Sequence, residues 1–279
     1  MRYVLFNPLA TIKYTQEELK SRIGAIDPSK NISFLDVTKT DIHTFLLNIK
    51  DGDDVFLCGG DGTLNKLINY VDTDKINFDI YLYKTGNGND FLRDIDSLDK
   101  DYVLLNPYFK KLPTVKILDK EYKFINGVGF GIDGLVCVEA DKMKASGQND
   151  INYTSLSIKL LLTKYKKVKA TIEIDGKVLN YKSVFLASAM NGRYYGGGMK
   201  IAPGQDRLGD TLSLSVIHNA GKLRTLLIFP KIFKGEHVKN KKMSTILTGK
   251  KITVTFTHPM ALQIDGETVT NVTTYTVEA

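Results

Sequence analysis

Between Cys58 and Leu64 the chain reads Gly59-Gly60-Asp61-Gly62-Thr63, three glycines around a single acid. Glycines let a backbone come close to a ligand, and a following helix start adds partial positive charge, so phosphate is the natural guest. An acid in the middle of such a loop repels phosphate unless it carries a metal ion or orients a hydroxyl, which makes Asp61 a residue with chemistry to do. Thr63 can cap the helix or reach a phosphate oxygen. The plainer alternative is a strand–turn–helix junction with Asp61 as its cap. The pattern is neither the dinucleotide fingerprint nor the P-loop, because no lysine follows the glycines. A second loop of the same make, Gly86-Asn87-Gly88-Asn89-Asp90-Phe91, ends the next apolar stretch. Two such loops, each with an acid, point to a metal–nucleotide site. For the second, the plainer alternative is Asn89 or Asp90 as a helix cap.

The elements around these loops alternate. Tyr3–Asn7, Asn31–Val37, Asp54–Cys58 and Phe78–Tyr83 read as strands, the last two as continuous apolar runs buried on both faces. Thr15–Ile26, Asp41–Ile49 and Thr63–Tyr70 read as helices, the first opened by a Thr15/Glu18 capping box. This order predicts an open, mostly parallel α/β domain over residues 1–112, with its loops gathered at the carboxyl ends of the strands. Beyond Leu112 strand-like segments dominate: 114–118, 122–128, 171–174, 178–181, 183–190, 211–216, 252–256 and 261–264. Helical stretches interrupt them at 155–167 and 222–234, and Pro230 is expected to break or kink the second. A mostly antiparallel β domain over residues 113–279 is therefore expected. Asp175-Gly176 reads as a plain hairpin turn.

Composition narrows the class. The chain has 279 residues, 43% apolar and 25% charged, the balance of a folded protein. No apolar run nears the roughly 20 residues a spanning helix needs, and the first residues lack a signal peptide's cleavage site. Cys58 and Cys137 form no CxxC pair, so neither a disulfide framework nor a thiolate metal site is indicated, and the cytoplasm is the expected compartment. The net charge is +7, concentrated between Lys222 and Lys251, where Glu236 is the single acid. Such an excess suits phosphate-rich ligands, nucleic acid or anionic headgroups, or simply a solvated face.

Gly59–Thr63 resembles the GGDGT motif shared by diacylglycerol, sphingosine and NAD kinases. Gly86–Phe91 resembles the G-T-G-N-D-F motif of the diacylglycerol kinase catalytic-domain superfamily, with Asn87 in place of Thr. Asn126–Asp133 resembles its G-x-G-F-D-A region, Asn191–Gly198 with Ala202-Pro203 its glycine-rich stretch, and Asp265-Gly266-Glu267 its late D-G-E. The resemblance covers nearly the whole chain. It implies a kinase with the nucleotide between an NAD-kinase-like α/β domain and a β-sandwich lipid domain, whose last residues return toward the first domain. ATP and Mg²⁺ would serve as co-substrates, and a lipid hydroxyl, most often that of diacylglycerol, would be the acceptor.

Carried over by position, Asn7, Gly59, Gly60, Asp61, Gly62, Thr63, Gly86, Asn87, Gly88, Asn89 and Asp90 line the nucleotide site, with Asp61 and Asp90 near the metal. Asp265 is the implied general base, with Glu267 beside it, a role that fits the need for a carboxylate to take the hydroxyl proton. As a turn residue at a strand end, Asp265 is expected to matter little for stability. Asp206 and Asp210 are the expected ligands of a structural Mg²⁺, although the order Asp206-Arg207-Leu208-Gly209-Asp210 departs from the usual pattern. Leu9-Ala10-Thr11-Ile12-Lys13 replaces the usual Ser/Gly-rich turn after Asn7-Pro8. The expected partner is a lipid at the membrane surface, reached by transient peripheral contact through the apolar, basic stretch Leu223–Phe233. No nucleic-acid partner is implied, and there is room for a homodimer. Competing readings are an NAD kinase and a non-catalytic nucleotide- or lipid-binding regulator.

Overall fold

The computed structural model describes residues 1–8, 13–148, 151–219 and 221–279, which divide into two compact units, Met1–Leu112 and Pro113–Ala279. The loop departure at Leu9–Ile12 lies outside the described residues.

The first unit runs β1 (Arg2–Phe6), α1 (Gln16–Gly24), β2 (Ile32–Asp36), α2 (Ile42–Leu47), β3 (Asp54–Gly59), α3 (Asp61–Tyr70), β4 (Asp79–Lys84), α4 (Asp90–Asp94) and β5 (Tyr102–Leu104). Its sheet has the order β2-β1-β3-β4-β5, parallel except for β5, which pairs antiparallel with β4. Every residue of the central β3 is buried, which is why its sequence is an unbroken apolar run with no solvent side. The capping box at Thr15 and Glu18 is present, and Leu19 and Ile23 of α1 pack with Val4, Phe56 and Tyr83 in the core. At the amino ends of β1 and β3, Arg2 forks onto Asp54, Nε to Oδ1 at 2.9 Å and Nη2 to Oδ2 at 2.8 Å. That pin locks the end of the sheet away from the loops after β1, β3 and β4, which share the carboxyl edge where α/β sheets bind ligands.

The second unit runs β6 (Thr114–Ile117), β7 (Lys120–Lys123), β8 (Gly127–Gly131), α5 (Ile132–Ala145), α6 (Tyr153–Thr163), β9 (Val168–Ile174), β10 (Lys177–Val184), β11 (Leu186–Met190), β12 (Leu212–Ile217), α7 (Lys222–Phe233), β13 (Ser244–Gly249), β14 (Lys251–Ile264) and β15 (Glu267–Glu278). All its strand pairings are antiparallel. β14 joins the layers: its first half pairs with β9, its last residues with β8, and its register to β15 shifts between Thr255 and Met260. Between the layers Phe130 stacks on Phe256 at 4.0 Å, with Tyr275 edge-on at 5.5 Å. In β11, Ala187 and Ala189 face this core while Leu186 and Met190 face a second one under the helices, which accounts for an all-apolar strand.

Three sequence expectations change here. The stretch 183–190 falls in two strands, the end of β10 and all of β11, which part at Phe185; Ser183, at φ 57°, sits inside β10 where its register to β9 shifts. Helix α5 was not anticipated, because its start is masked by the glycines of β8. Pro230 lies inside α7, which continues to Phe233. One turn from the helix end, a proline removes a single bond that the short remainder tolerates.

Candidate functional site

In the first unit the two glycine loops are laced to each other. The N–H groups of Thr85 and Gly86 donate to the Gly59 carbonyl at 3.2 and 3.1 Å, and the Asp61 N–H donates to the Gly88 carbonyl at 3.0 Å. The Asp61 carboxylate accepts the N–H groups of Asp90 at 2.7 Å and Phe91 at 3.0 Å. Asp61 thus caps α4, the helix after the neighbouring strand, rather than its own. The residue in the cap position of α4, Asn89, makes no cap bond and instead donates to the carbonyls of Gly86 and Asn87. Neither plain alternative is what the chain does.

The glycines also serve this lacing. A Cβ on Gly60 would lie 2.3 Å from the Gly88 carbonyl oxygen, one on Gly86 2.7 Å from the Gly60 nitrogen, and one on Gly59 2.3 Å from Thr63 Oγ1. Gly60 and Gly86 are glycine where the two loops touch each other, and Gly59 where Thr63 of its own loop crowds it. Gly62 differs: a Cβ there would meet nothing within 4 Å. The Leu64 N–H donates to the Gly60 carbonyl, so Gly62 and Thr63, in the first turn of α3, have no intrahelical acceptor by position. N–H groups without intrahelical acceptors at a helix start are what an anion needs.

Asp90 is only 5% exposed and lies 4.0 Å from Arg93 Nε. Asp61 and Asp90 therefore do different work, one as a clamp and one as a buried charge at the head of α4. Asn7 directly follows β1 on the same sheet edge, while Asn87 and Gly88 are exposed. Among the described residues no group of three or more His, Cys, Asp or Glu side chains is placed to hold a metal. A nucleotide's phosphate oxygens would have to complete any Mg²⁺ shell, which is the usual habit of this ion.

In the second unit the motifs converge on the segment Ile125–Gly127. Asp265 and Gly266 form the two-residue turn between β14 and β15, both at positive φ, 48° and 99°. Aspartate tolerates that conformation and glycine favours it. The Asp265 carboxylate accepts the N–H groups of Ile125 at 2.7 Å, Asn126 at 2.8 Å and Gly127 at 2.9 Å. Asn191 Nδ2 donates to the Ile125 carbonyl at 3.0 Å, Arg207 Nη2 to Asn126 Oδ1 at 2.8 Å, and Arg207 Nη1 to the Ile125 carbonyl. The expectation that Asp265 matters little for stability fails on these contacts. Asp175-Gly176 is likewise more than a plain turn: at φ 47° and 84°, its carboxylate accepts the N–H groups of Lys250 and Lys251. Glu267 is exposed at the start of β15.

The expected structural metal pair is engaged otherwise. Asp206 Oδ1 accepts the Leu208 N–H at 3.0 Å, and Asp210 meets Lys250 Nζ at 2.7 Å in solvent. Arg207, between them, is the residue sequence reasoning missed; a lone cation in an acidic loop was the available signal. Also missed was Asp133, whose Oδ2 accepts hydroxyl bonds from Ser188 and Tyr195, both at 2.7 Å. Burial pushes the Asp133 carboxyl up to about 6, against those two bonds, which favour its ionised form. A Cβ on Gly129 would lie 2.4 Å from Asp133 Oδ2 and 2.6 Å from Gln263 Nε2, while Gln263 Oε1 accepts the Gly266 N–H at 2.7 Å. His237 is fully buried with Nε2 3.0 Å from the Ile201 carbonyl, a structural placement.

A parallel sheet with laced glycine–acid loops, followed by an antiparallel sandwich closed by an Asp-Gly-Glu turn, is the architecture of a two-part lipid-kinase fold. Residues 2–106 match the model of the diacylglycerol kinase catalytic domain, and residues 126–278 that of the YegS C-terminal NAD kinase beta sandwich-like domain. The chain belongs to the diacylglycerol kinase catalytic-domain superfamily, in the form that carries the YegS-type C-terminal domain. It is 29% identical over 237 residues to "Putative lipid kinase SH2167" of Staphylococcus haemolyticus, covering 78% of this chain and 70% of that one. It is 26% identical over 204 residues to the "Diacylglycerol kinase" of Mycobacterium tuberculosis, covering 70% of this chain and 65% of that one. The crystal structure of a "putative diacylglycerol kinase" from Bacillus anthracis shares the fold, with a TM-score of 0.73 at 18% identity over 99% of this chain and 91% of that one.

Proposed function

We propose that this protein is an ATP- and Mg²⁺-dependent lipid kinase that transfers the γ-phosphoryl group to a lipid hydroxyl, with diacylglycerol as acceptor and phosphatidic acid as product. The observation that carries the reading is the laced loop pair at the start of α3, where the Cβ side of Gly62 is open and the Gly62 and Thr63 N–H groups have no intrahelical acceptor by position. These groups bind and orient phosphate. Bound with the nucleotide, Mg²⁺ supplies charge neutralisation, and Asp61 or Asp90 would hold it together with phosphate oxygens. The proton of the acceptor hydroxyl goes to a carboxylate of the Asp-Gly-Glu turn. Asp265 is held rigidly by three N–H donors. Glu267, exposed two residues on, is the second candidate for the proton.

The test is transfer of labelled phosphate from ATP, with Mg²⁺, against diacylglycerol, sphingosine, undecaprenol and NAD in parallel. Label in phosphatidic acid supports the reading, and label in NADP turns it to an NAD kinase. No transfer to any acceptor, with ATP still bound, would make the protein a nucleotide-binding regulator.

A further inference from the structure

We infer that the second unit carries a docking face for an anionic bilayer, made by the outer side of α7, the end of α6 and a lysine-rich hollow beside them. The inference rests on the lipid-acceptor reading above and names where that acceptor's membrane is met.

The apolar residues of α7 divide by side. Ile228 and Ile232 are buried in the second core, with Leu226 and Phe229 packed against it. Leu223 and Leu227, one turn apart, point the other way and are 76% and 74% exposed. The remaining charged outward positions are Arg224, Lys231 and Lys234, with no acid among them. A single exposed leucine needs no explanation, but this pair does not stand alone. Lys222 Nζ donates to the Leu162 carbonyl at 2.8 Å, bringing the start of α7 against the end of α6, where Leu162 is itself 43% exposed. At its other end the face runs into an open hollow of about 490 Å³ lined by Lys231, Glu236, Lys239, Asn240, Lys241 and Lys242, four cations against one acid.

Leucines flanked by cations on one face of a helix suit the boundary between headgroups and acyl chains, and a cationic hollow alongside suits the phosphate of an anionic lipid. Nucleic acid would engage the lysines and leave the leucines without a role. Free phosphate would fill the hollow and leave α7 idle. The combination commits the face to a bilayer.

The test is flotation of the intact chain with vesicles of phosphatidylcholine alone and of phosphatidylcholine mixed with phosphatidylglycerol. Wild type is expected to bind the mixed vesicles, less so at high salt. The double variant Leu223→Gln/Leu227→Gln should bind about tenfold or more weakly at unchanged melting temperature. The triple variant Lys239→Glu/Lys241→Glu/Lys242→Glu should bind about a hundredfold more weakly. Leu118→Gln, which alters a leucine 71% exposed at the β6–β7 turn, should bind as wild type. Equal binding by wild type and the double leucine variant overturns the face. So does tight binding of inorganic phosphate without any vesicle binding. Turnover on a short-chain, monomeric acceptor should be unchanged in the leucine variant. If wild type transfers phosphate to no acceptor while vesicle binding is still lost in that variant, the kinase reading falls and the face stands.

Discussion

Replacing Asp265 separates its two roles, since the structure assigns it a bonding role and the family a chemical one. Asp265→Ala removes the acceptor of three N–H groups on a segment where Ile125 and Asn126 are 0% and 3% exposed. Each lost bond costs about 1 kcal/mol if water enters to replace the carboxylate, and more if it does not. Alanine at φ 48° adds about another 1 kcal/mol, for a total of about 4 kcal/mol. Asp265→Gly loses the same bonds without the backbone strain, about 3 kcal/mol. In Asp265→Asn, the amide oxygen can keep the Asn126 and Gly127 bonds, both made to Oδ1, while the NH₂ faces the Ile125 N–H. That leaves a loss of about 1–2 kcal/mol. Denaturant unfolding should rank the proteins wild type, Asn, Gly, Ala, with a melting-point drop on the order of 10 °C for Ala. Asp265→Ala within about 1 kcal/mol of wild type, or a reversed order, would falsify the bonding role. With Asp265→Asn still folded, a fall in turnover of about 10²–10⁴ assigns it as the base, and near-normal turnover moves that role to Glu267.

Gly62→Ala, with open space around it and a helical position, should keep or slightly raise stability yet weaken Mg²⁺-ATP binding by calorimetry; unchanged affinity would remove phosphate from this site. Gly60→Ala should instead force the two loops apart and lower the melting temperature as well as the affinity, and a well-folded, active variant would contradict the lacing. Asp133 titrates high in the folded state, near 6 against an ordinary value of 3.8, so the native protein holds its proton longer than the unfolded chain. Its contribution to stability should fall as pH rises from about 4 to about 6 and stay flat above. Asp133→Asn should abolish that slope in pH-dependent unfolding, and an unaltered profile would show the carboxyl is not buried as described. Asp54 behaves oppositely: burial opposes its charge, but the bonds from Arg2 and Lys30 outweigh it and hold its carboxyl below 3.8. The stability it confers should be present above that pH and lost below it, and Asp54→Ala should cost about 3–5 kcal/mol by leaving Arg2 buried without its partner.

What the sequence determined by itself was the local and the periodic. Val55–Cys58 had to be a strand covered on both faces, the Thr15/Glu18 spacing had to cap a helix, and the change of texture after Leu112 had to end the alternating α/β pattern. Five motifs in fixed order were enough to place the chain in its family. Tertiary structure decided how the motif residues are used. The lacing bonds join residues some thirty positions apart in two different loops, and the Asp265 bonds join a turn to the bend and first residue of β8, 138 to 140 positions earlier. No local pattern encodes which donors a carboxylate will meet across such a distance. That is why the dipeptide alone told neither Asp175 nor Asp265 from a plain turn, and only the family resemblance singled out Asp265. Each was settled by the neighbouring backbone that packs against it. The sides of α7 were legible as a mixture of leucine and lysine, but which leucines face water depends on where the second core lies beneath the helix, and that is a property of the packed sandwich alone.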